Sequence, residues 1–385
     1  MKRPLKICAV SGGRADYGVL VALLRALRDD PAFDLQVVLT GQHLVKSAGD
    51  TAAQVRRDGF AIAAEVDMKL DGDDAAAVTA AAGRLLGGMG GVLARLAPDL
   101  ILLLGDRYEI ACCATAATIA RIPIAHIAGG DVTEGAFDDV FRHAITKMAH
   151  LHFVTNEVAA RRVRQLGEAA DRIHIVGSPG LDLIRTTPVP SREAFFSSVD
   201  LAPGAINVLA TFHPVTLAAD SLAQLDEMLA ALASRDGATI LFTGTNADPD
   251  GRRIEERIRG FIARRTAARF VPSLGPAGYF AALTYMDVVV GNSSSGLYEA
   301  PSFGIPTVNV GDRQTGRLRA DSVFDCPPQR GAIGAAITRA LKRGRKPTAS
   351  PYGDGHAAER IVAALKSLND PRALLGKRFA EFAGA

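Results

Sequence analysis

Five consecutive apolar residues, Leu100 to Leu104, end abruptly in Gly105-Asp106-Arg107, and few folds can use such a junction. An apolar run without alternation marks a strand buried on both faces, as in the middle of a parallel sheet covered by helices. The pattern then repeats. An alanine-rich helical segment leads to a second short apolar run, Ile122-Pro123-Ile124-Ala125, which ends in His126-Ile127-Ala128-Gly129-Gly130-Asp131. Ligands of parallel α/β sheets bind beyond the carboxyl ends of the strands. Asp106, His126 and Asp131 fall there, followed by Glu134, Asp138 and Asp139 on the loop and at the start of the next helix. Acids converging at two neighbouring strand ends suit proton transfer. Each alone also has a structural reading: Asp106-Arg107 as a local ion pair, Asp138 and Asp139 as helix-start charges, Asp138 with Arg142 as an i,i+4 pair.

The same alternation runs through most of the chain. Strand-like segments at Lys6 to Ser11, Leu35 to Thr40, Leu151 to Thr155 and Ile173 to Val176 join the two above, which makes one doubly wound domain of six strands. A proline-rich lapse near 180–205 separates it from a second series, with strands at Ile206 to Phe212, Thr239 to Thr243, Arg269 to Pro272, Asp287 to Val290 and Thr307 to Val310. A chain of 385 residues exceeds the roughly 250–300 at which single cores stop growing. The expected α/β architecture is therefore two Rossmann-like domains facing a cleft, 1–180 and 181–365, with 366–385 as a tail packing back on the first. One helical pattern, Asp74 to Leu96, contains Gly83, Gly87, Gly88, Gly90 and Gly91. Each costs about 1 kcal/mol against alanine inside a helix. So many predict either a break or the close approach of another backbone.

Composition narrows the function classes. A net charge of +3 without a basic tail argues against nucleic acid, and the arginines between Arg252 and Arg265 alternate with Glu255 and Glu256 as on a solvated face. Cys8, Cys112, Cys113 and Cys326 contain no metal or disulfide spacing. The basic start MKRPLK precedes too few apolar residues for a signal-peptide core, and no stretch reads as about 20 apolar residues in a row. The expectations are a cytoplasmic protein with no membrane span.

Three further junctions have binding chemistry. Gly12-Gly13-Arg14 places backbone N–H groups and a guanidinium at a helix start, as an anion site or simply a tight turn, and Gly41-Gln42-His43 ends the next strand. In the second domain, Gly291-Asn292-Ser293-Ser294-Ser295-Gly296 turns a strand into a helix. Hydroxyls and helix N–H groups there suit a pyrophosphate, and Glu299 one turn on suits a ribose diol. An N-cap serine and a first-turn acid would look the same. Arg313, in Gly311-Asp312-Arg313-Gln314, follows the next strand, and His213 ends the domain's first strand.

Gly13-Arg14-Ala15-Asp16-Tyr17, Gly105-Asp106-Arg107, Gly129-Gly130-Asp131, Asp138-Asp139 with Arg142 to Lys147, His213-Pro214-Val215-Thr216, Asn246-Ala247-Asp248, Gly291 to Gly296 with Glu299, and Gly311 to Arg317 occur in this order. Together they resemble the UDP-N-acetylglucosamine 2-epimerase family, in particular its hydrolysing branch. The resemblance implies a GT-B-like fold, with a C-terminal helix, about His356 to Leu368, returning to the first domain. It implies a UDP-sugar substrate, elimination of UDP after deprotonation at C2, and hydration to N-acetylmannosamine, with no metal, nicotinamide or other cofactor. It places Arg14, Ser293, Ser294, Glu299 and Arg313 on the nucleotide, with His43, Arg107, Ser295 and Gly296 also on the substrate side. Asp106, Asp138 and His213 fall to catalysis. Many family members have glutamate where this chain has Ala128, so Glu134, with Asp131 as its rival, is expected to supply the missing carboxylate. A homodimer or homotetramer is expected. The second substrate reading is a nucleotide-linked 2,4-diacetamido-2,4,6-trideoxy sugar of the legionaminic acid route. Readings of other classes are a glycosyltransferase on the same fold and a silent nucleotide-sugar binding protein.

Overall fold

A computed structural model describes residues 3–45, 51–72, 74–133, 137–214, 221–244 and 251–381. The apolar run Leu100–Leu104 is strand β4 (Leu100–Leu104), buried along its whole length. It lies in the middle of a parallel sheet with β1 (Leu5–Ser11), β2 (Phe33–Thr40), β3 (Ile62–Val66), β5 (Ile124–Ile127), β6 (Leu151–Val154) and β7 (Ile173–Ile175), in the order β3-β2-β1-β4-β5-β6-β7. Helices α1 (Arg14–Asp29), α2 (Thr51–Arg57), α3 (Ala75–Leu96), α4 (Tyr108–Ile119), α5 (Asp138–Met148) and α6 (Glu157–Gln165) alternate with the strands. The order reverses between β3 and β4, so β1 and β4 are neighbours at the topological switch point, where α/β sheets place their ligands.

The chain divides into two units, Met1–Leu183 with Gly355–Ala385, and Ile184–Asp354. A short α7 (Asp182–Thr186) spans the first boundary, and α8 (Arg192–Ser198) follows. The second unit repeats the architecture with β8 (Ile206–Thr211), β9 (Ala238–Thr243), β10 (Ala268–Val271), β11 (Val288–Gly291), β12 (Thr307–Val310) and β13 (Val323–Cys326), ordered β10-β9-β8-β11-β12-β13. Its helices are α9 (Ser221–Ala233), α10 (Gly251–Ile262), α11 (Gly275–Tyr285), α12 (Ser295–Tyr298) and α13 (Arg330–Arg343). Val208, Ala210, Val288, Val290 and Val308 from the sheet pack with Leu225, Met228 and Ile333 from the helices in its core.

Three expectations change. Two strands were missed, β3 and β13. Both lie at sheet edges and carry an exposed acid, Glu65 or Asp325, so neither reads as an apolar run. The second unit ends at Asp354 rather than 365, because α14 (Ala357–Lys366) belongs to the first unit. There Ile361 and Leu365 are buried, α14 packs on α1, and the Asp182 carboxylate accepts the N–H groups of Ala357 (3.0 Å) and Ala358 (2.6 Å) at the helix start. Finally, α3 is unbroken through all its glycines. Asp74 caps it by accepting from the N–H groups of Ala76 and Ala77, and the left-handed Ala97 ends it. By length and composition alone it also meets the requirement for a bilayer span, which the sequence reading had found nowhere.

Candidate active site

The crest of the first sheet is built around two arginines. Arg142, on the first turns of α5, is nearly buried. One of its nitrogens bonds the Asp106 carboxylate beyond β4 and the Thr133 hydroxyl (3.1 Å), and another reaches Asp139 (3.1 Å). Asp139 also accepts the Thr133 N–H at 2.8 Å, which ties the loop after β5 to the helix. Arg107 donates to Glu109 through Nη2 (2.8 Å) and Nε (3.2 Å), and Glu109 is fully buried. The local pairs expected from spacing, Asp106 with Arg107 and Asp138 with Arg142, are thus replaced by Arg142 with Asp106 and Asp139, and Arg107 with Glu109.

That exchange leaves Asp138 accepting no hydrogen bond among the described residues. Burial, and then the Asp106 carboxylate nearby, raise its pKa above the usual carboxylate range, against the pull of Arg107. Asp16, in the first turn of α1, accepts the Gly12 N–H at 3.2 Å and is pushed up to about 6 by burial, with Arg107 opposing and Glu109 adding to the shift. A carboxyl that stays protonated nearer neutrality is suited to give and take protons.

The supporting residues explain why the crest holds this shape. His126 is buried and donates through Nε2 to the Gly105 carbonyl (2.8 Å), so Nδ1 faces the Thr146 hydroxyl (3.1 Å) as an acceptor. Burial keeps the ring neutral down to about pH 3. The Gly-Gly turn is steric in origin: a Cβ on Gly130, at φ 77°, would lie 2.4 Å from the Ala159 carbonyl oxygen. Ala128 has a left-handed backbone too, φ 64°, although it has a Cβ. Asp131 accepts the Thr155 hydroxyl at 2.8 Å. Glu134 lies outside the described residues. His43 is buried between the Ser11 hydroxyl (2.9 Å, Nε2) and the Thr51 hydroxyl (3.0 Å, Nδ1), so both ring nitrogens have partners within the protein. Arg14 opens α1 and is exposed.

The crest of the second sheet has different chemistry. Gly291 ends β11 at φ 143°, where a Cβ would collide with the Thr211 carbonyl oxygen at 1.7 Å. The turn lets the buried Asn292 clamp the end of β8, accepting the His213 N–H (2.7 Å) and donating to the His213 carbonyl (2.8 Å). Burial, with Arg313 nearby, holds the His213 ring neutral down to about pH 4. Arg313 (3.2 Å) and Gln314 (2.8 Å) both donate to the Asn292 carbonyl, which brings the loop after β12 to the same place. Ser295 bonds the Tyr279 hydroxyl and the Glu299 carboxylate, and burial raises the Glu299 pKa. Glu299 Oε2 is buried without a hydrogen-bond partner among the described residues, which leaves an acceptor for a ligand. Ser293 and Ser294 are half-exposed, and Ser294 stands at the N-cap of α12 without capping it by its side chain. Since α12 has only four residues, the expected macrodipole is weak, and hydroxyls, Arg313 and Glu299 remain as the binding groups. Gly296 packs against Thr307, with no room for a Cβ.

Sequence reasoning missed Arg142, Glu109, Asp16 and Asn292 as site residues. Arg142 left a local signal, three residues beyond Asp139, and Asp16 and Asn292 stood within the Gly13 to Tyr17 and Gly291 to Gly296 motifs. Among the described residues no group of three or more His, Cys, Asp or Glu is arranged as for a metal ion.

Comparison with known proteins sets this geometry in context. The chain is 34% identical to UDP-N,N'-diacetylbacillosamine 2-epimerase (hydrolyzing) of Legionella pneumophila, over 94% of this chain and 96% of that one. It is 32% identical to GDP/UDP-N,N'-diacetylbacillosamine 2-epimerase (hydrolyzing) of Campylobacter jejuni, over 83% and 84% of the two chains. In fold it is similar to UDP-GlcNAc 2-epimerase from Neisseria meningitidis bound to UDP-GlcNAc, with a TM-score of 0.80, 15% identity, and 94% and 100% of the chains covered. The family model described as UDP-N-acetylglucosamine 2-epimerase matches residues 25–366, and the chain belongs to that family.

Proposed function

We propose that this protein is a hydrolysing nucleotide-sugar 2-epimerase in which the first unit moves the protons and the second holds the nucleotide. The observation that carries the reading is Asp138, a carboxyl of raised pKa without a hydrogen-bond partner among the described residues, set beside Asp106 and two guanidiniums. A base takes the proton from C2 of the sugar, and the C–H electron pair becomes the C1–C2 double bond. The C1–O bond to the diphosphate breaks, its electron pair leaving with UDP. Water then adds its hydroxyl to C1 and a proton is delivered to C2 from the opposite face, which releases the free 2-epimer and UDP. The C2 proton is weakly acidic, so a well-placed base and cationic stabilisation of the leaving group are both needed.

Asp138 and Asp106 take the proton-transfer roles, and Arg107 stabilises the developing charge. Asp131 accepts from Thr155, which weakens its case as the carboxylate standing in for the glutamate of other family members. Glu134 keeps that role as a rival to Asp138. Ser293, Ser294, Glu299 and Arg313 hold the nucleotide, with the unpartnered Glu299 oxygen on the ribose. His213, neutral at physiological pH, serves as a hydrogen-bonding group at the sugar.

For the sugar, we infer a nucleotide-linked 2,4-diacetamido-2,4,6-trideoxy substrate, supported by the names of the relatives at 34% and 32% identity. UDP-N-acetylglucosamine is the second reading, supported by the family model. Purified protein given each sugar nucleotide in deuterium oxide, followed by NMR, tests both. The expected result is UDP together with a free sugar deuterated at C2, faster from the diacetamido substrate. Product that keeps its original C2 hydrogen sinks the elimination mechanism.

A further inference from the structure

Tyr279 lies in the first turns of α11, 16 residues before Ser295, and its hydroxyl bonds the Ser295 hydroxyl at the start of α12. Packing holds α11 in this place. Phe280, Ala281, Ala282 and Leu283 are buried, and the Phe280 ring lies tilted on Phe303 with centroids 5.6 Å apart. Neither the proton transfers nor the nucleotide contacts use the Tyr279 phenol. Burial, and then the Glu299 carboxylate nearby, hold its pKa above the ordinary tyrosine value, so it stays protonated and donates.

The hydrogens fix the direction of the chain. Ser295 has one hydroxyl proton and two partners, Tyr279 and the Glu299 carboxylate. A carboxylate only accepts, so the Ser295 proton points at Glu299 and the Ser295 oxygen accepts from Tyr279. Without the phenol, the serine hydroxyl is a rotor for which backbone acceptors compete. Other groups around Glu299 are committed elsewhere. Tyr298 stacks on Tyr352 at 3.7 Å. Arg317, whose charge favours the Glu299 anion, donates to Gln314 at 2.7 Å and lies over the Tyr298 ring. Glu299 Oε2 is left buried, with no hydrogen-bond partner among the described residues. An acceptor buried in this way costs stability until a donor fills it.

We propose that Tyr279 is a positioning residue for nucleotide recognition: through Ser295 it fixes the Glu299 carboxylate so that Oε2 accepts from a vicinal diol, the ribose of a nucleoside-diphosphate sugar. The inference rests on the reading that the second unit holds the nucleotide. It makes selection of ribose a property of a three-residue chain and not of Glu299 alone. A site built to bond a hydroxyl rejects the analogue that lacks it, because its own polar group is then buried unpaired. Hydrogen bonds in a chain strengthen one another, so loss of the far donor weakens the near one.

The test is calorimetry with two probes, UDP and 2′,3′-dideoxy-UDP, which differ only in the diol. Wild-type protein is expected to bind UDP about 10- to 100-fold more tightly than the dideoxy probe. Tyr279→Phe keeps the ring and removes the phenol oxygen. It should weaken UDP about five- to tenfold and the dideoxy probe by less than about twofold. Ser295→Ala should show the same diol-dependent loss, and the double variant no further loss, since the phenol acts through the serine. A purely structural tyrosine would weaken both probes alike. Equal weakening of the two by Tyr279→Phe, an unchanged UDP affinity in that variant, or a further loss in the double variant would overturn the inference while the nucleotide site stands. Unchanged UDP affinity in Glu299→Ala would remove the nucleotide site and the inference together.

Discussion

The two sheets are wound alike, each reversing direction beside its first strand, yet their crests differ in kind. At the end of β4 the first sheet gathers Asp16, Asp106, Glu109, Asp138 and Asp139 around Arg107 and Arg142. At the end of β11 the second presents serine hydroxyls, a neutral histidine, a clamping asparagine and one carboxylate with an unpartnered oxygen. The topology supplies a place at the switch point, and the side chains decide which chemistry it can support.

The proposed division of labour can be broken most directly at Asp138. Removing a general acid or base costs about 10²–10⁴ in rate, so Asp138→Asn should lower turnover on that scale while UDP affinity by calorimetry changes no more than a few-fold. Equal losses in both would abolish the distinction between the crests. Glu299→Ala is the converse experiment. Loss of a charge-assisted hydrogen bond should weaken UDP binding by about 1.5–3 kcal/mol while turnover at saturating substrate stays near wild type. A normal UDP affinity would remove the nucleotide site from the second unit.

Acid stability sharpens the comparison further, because each crest buries a neutral histidine. His126 stays uncharged in the folded chain down to about pH 3 and His213 down to about pH 4, whereas an unfolded histidine takes up its proton near 6.5. Between pH 6.5 and 4 the unfolded state therefore binds more protons, and stability falls as pH falls, by about 1.4 kcal/mol per pH unit for each such group. His126→Gln should flatten urea-unfolding stability measured at pH 6 and pH 5 by about that slope. An unchanged slope would mean that the His126 ring protonates in the folded state. The smallest effect is expected at Ala128, whose Cβ sits in a left-handed turn. Ala128→Gly relieves that strain and should raise stability by up to about 1 kcal/mol without changing UDP affinity; a loss of stability would mean that the methyl group packs usefully.

The central strands were legible because β4 is apolar on both faces and β5 is buried throughout with only His126 polar, and both ends lead into acids. Two of the four edge strands, β3 and β13, escaped for the opposite reason, since each needs only one apolar face. The partners of Arg142 escaped because Asp106 is 36 residues away, and only the pairing of β4 with β5 brings it close. Asn292 looked like one polar residue in a turn, and its clamp on His213 joins positions 79 apart. Local spacing thus located the acids but not which cation each one meets.

The cap that Asp182 places on α14 has a consequence for synthesis on the ribosome. Residues 184–354 lie between the two halves of the first unit, so the second unit has emerged whole while α1 still lacks the helix that covers it. At about 5–20 residues per second, the ribosome makes that intervening stretch in roughly 10–35 s. For that time an apolar strip of α1 waits in solvent beside a sheet whose seven strands are already made, open to non-native contacts until α14 emerges.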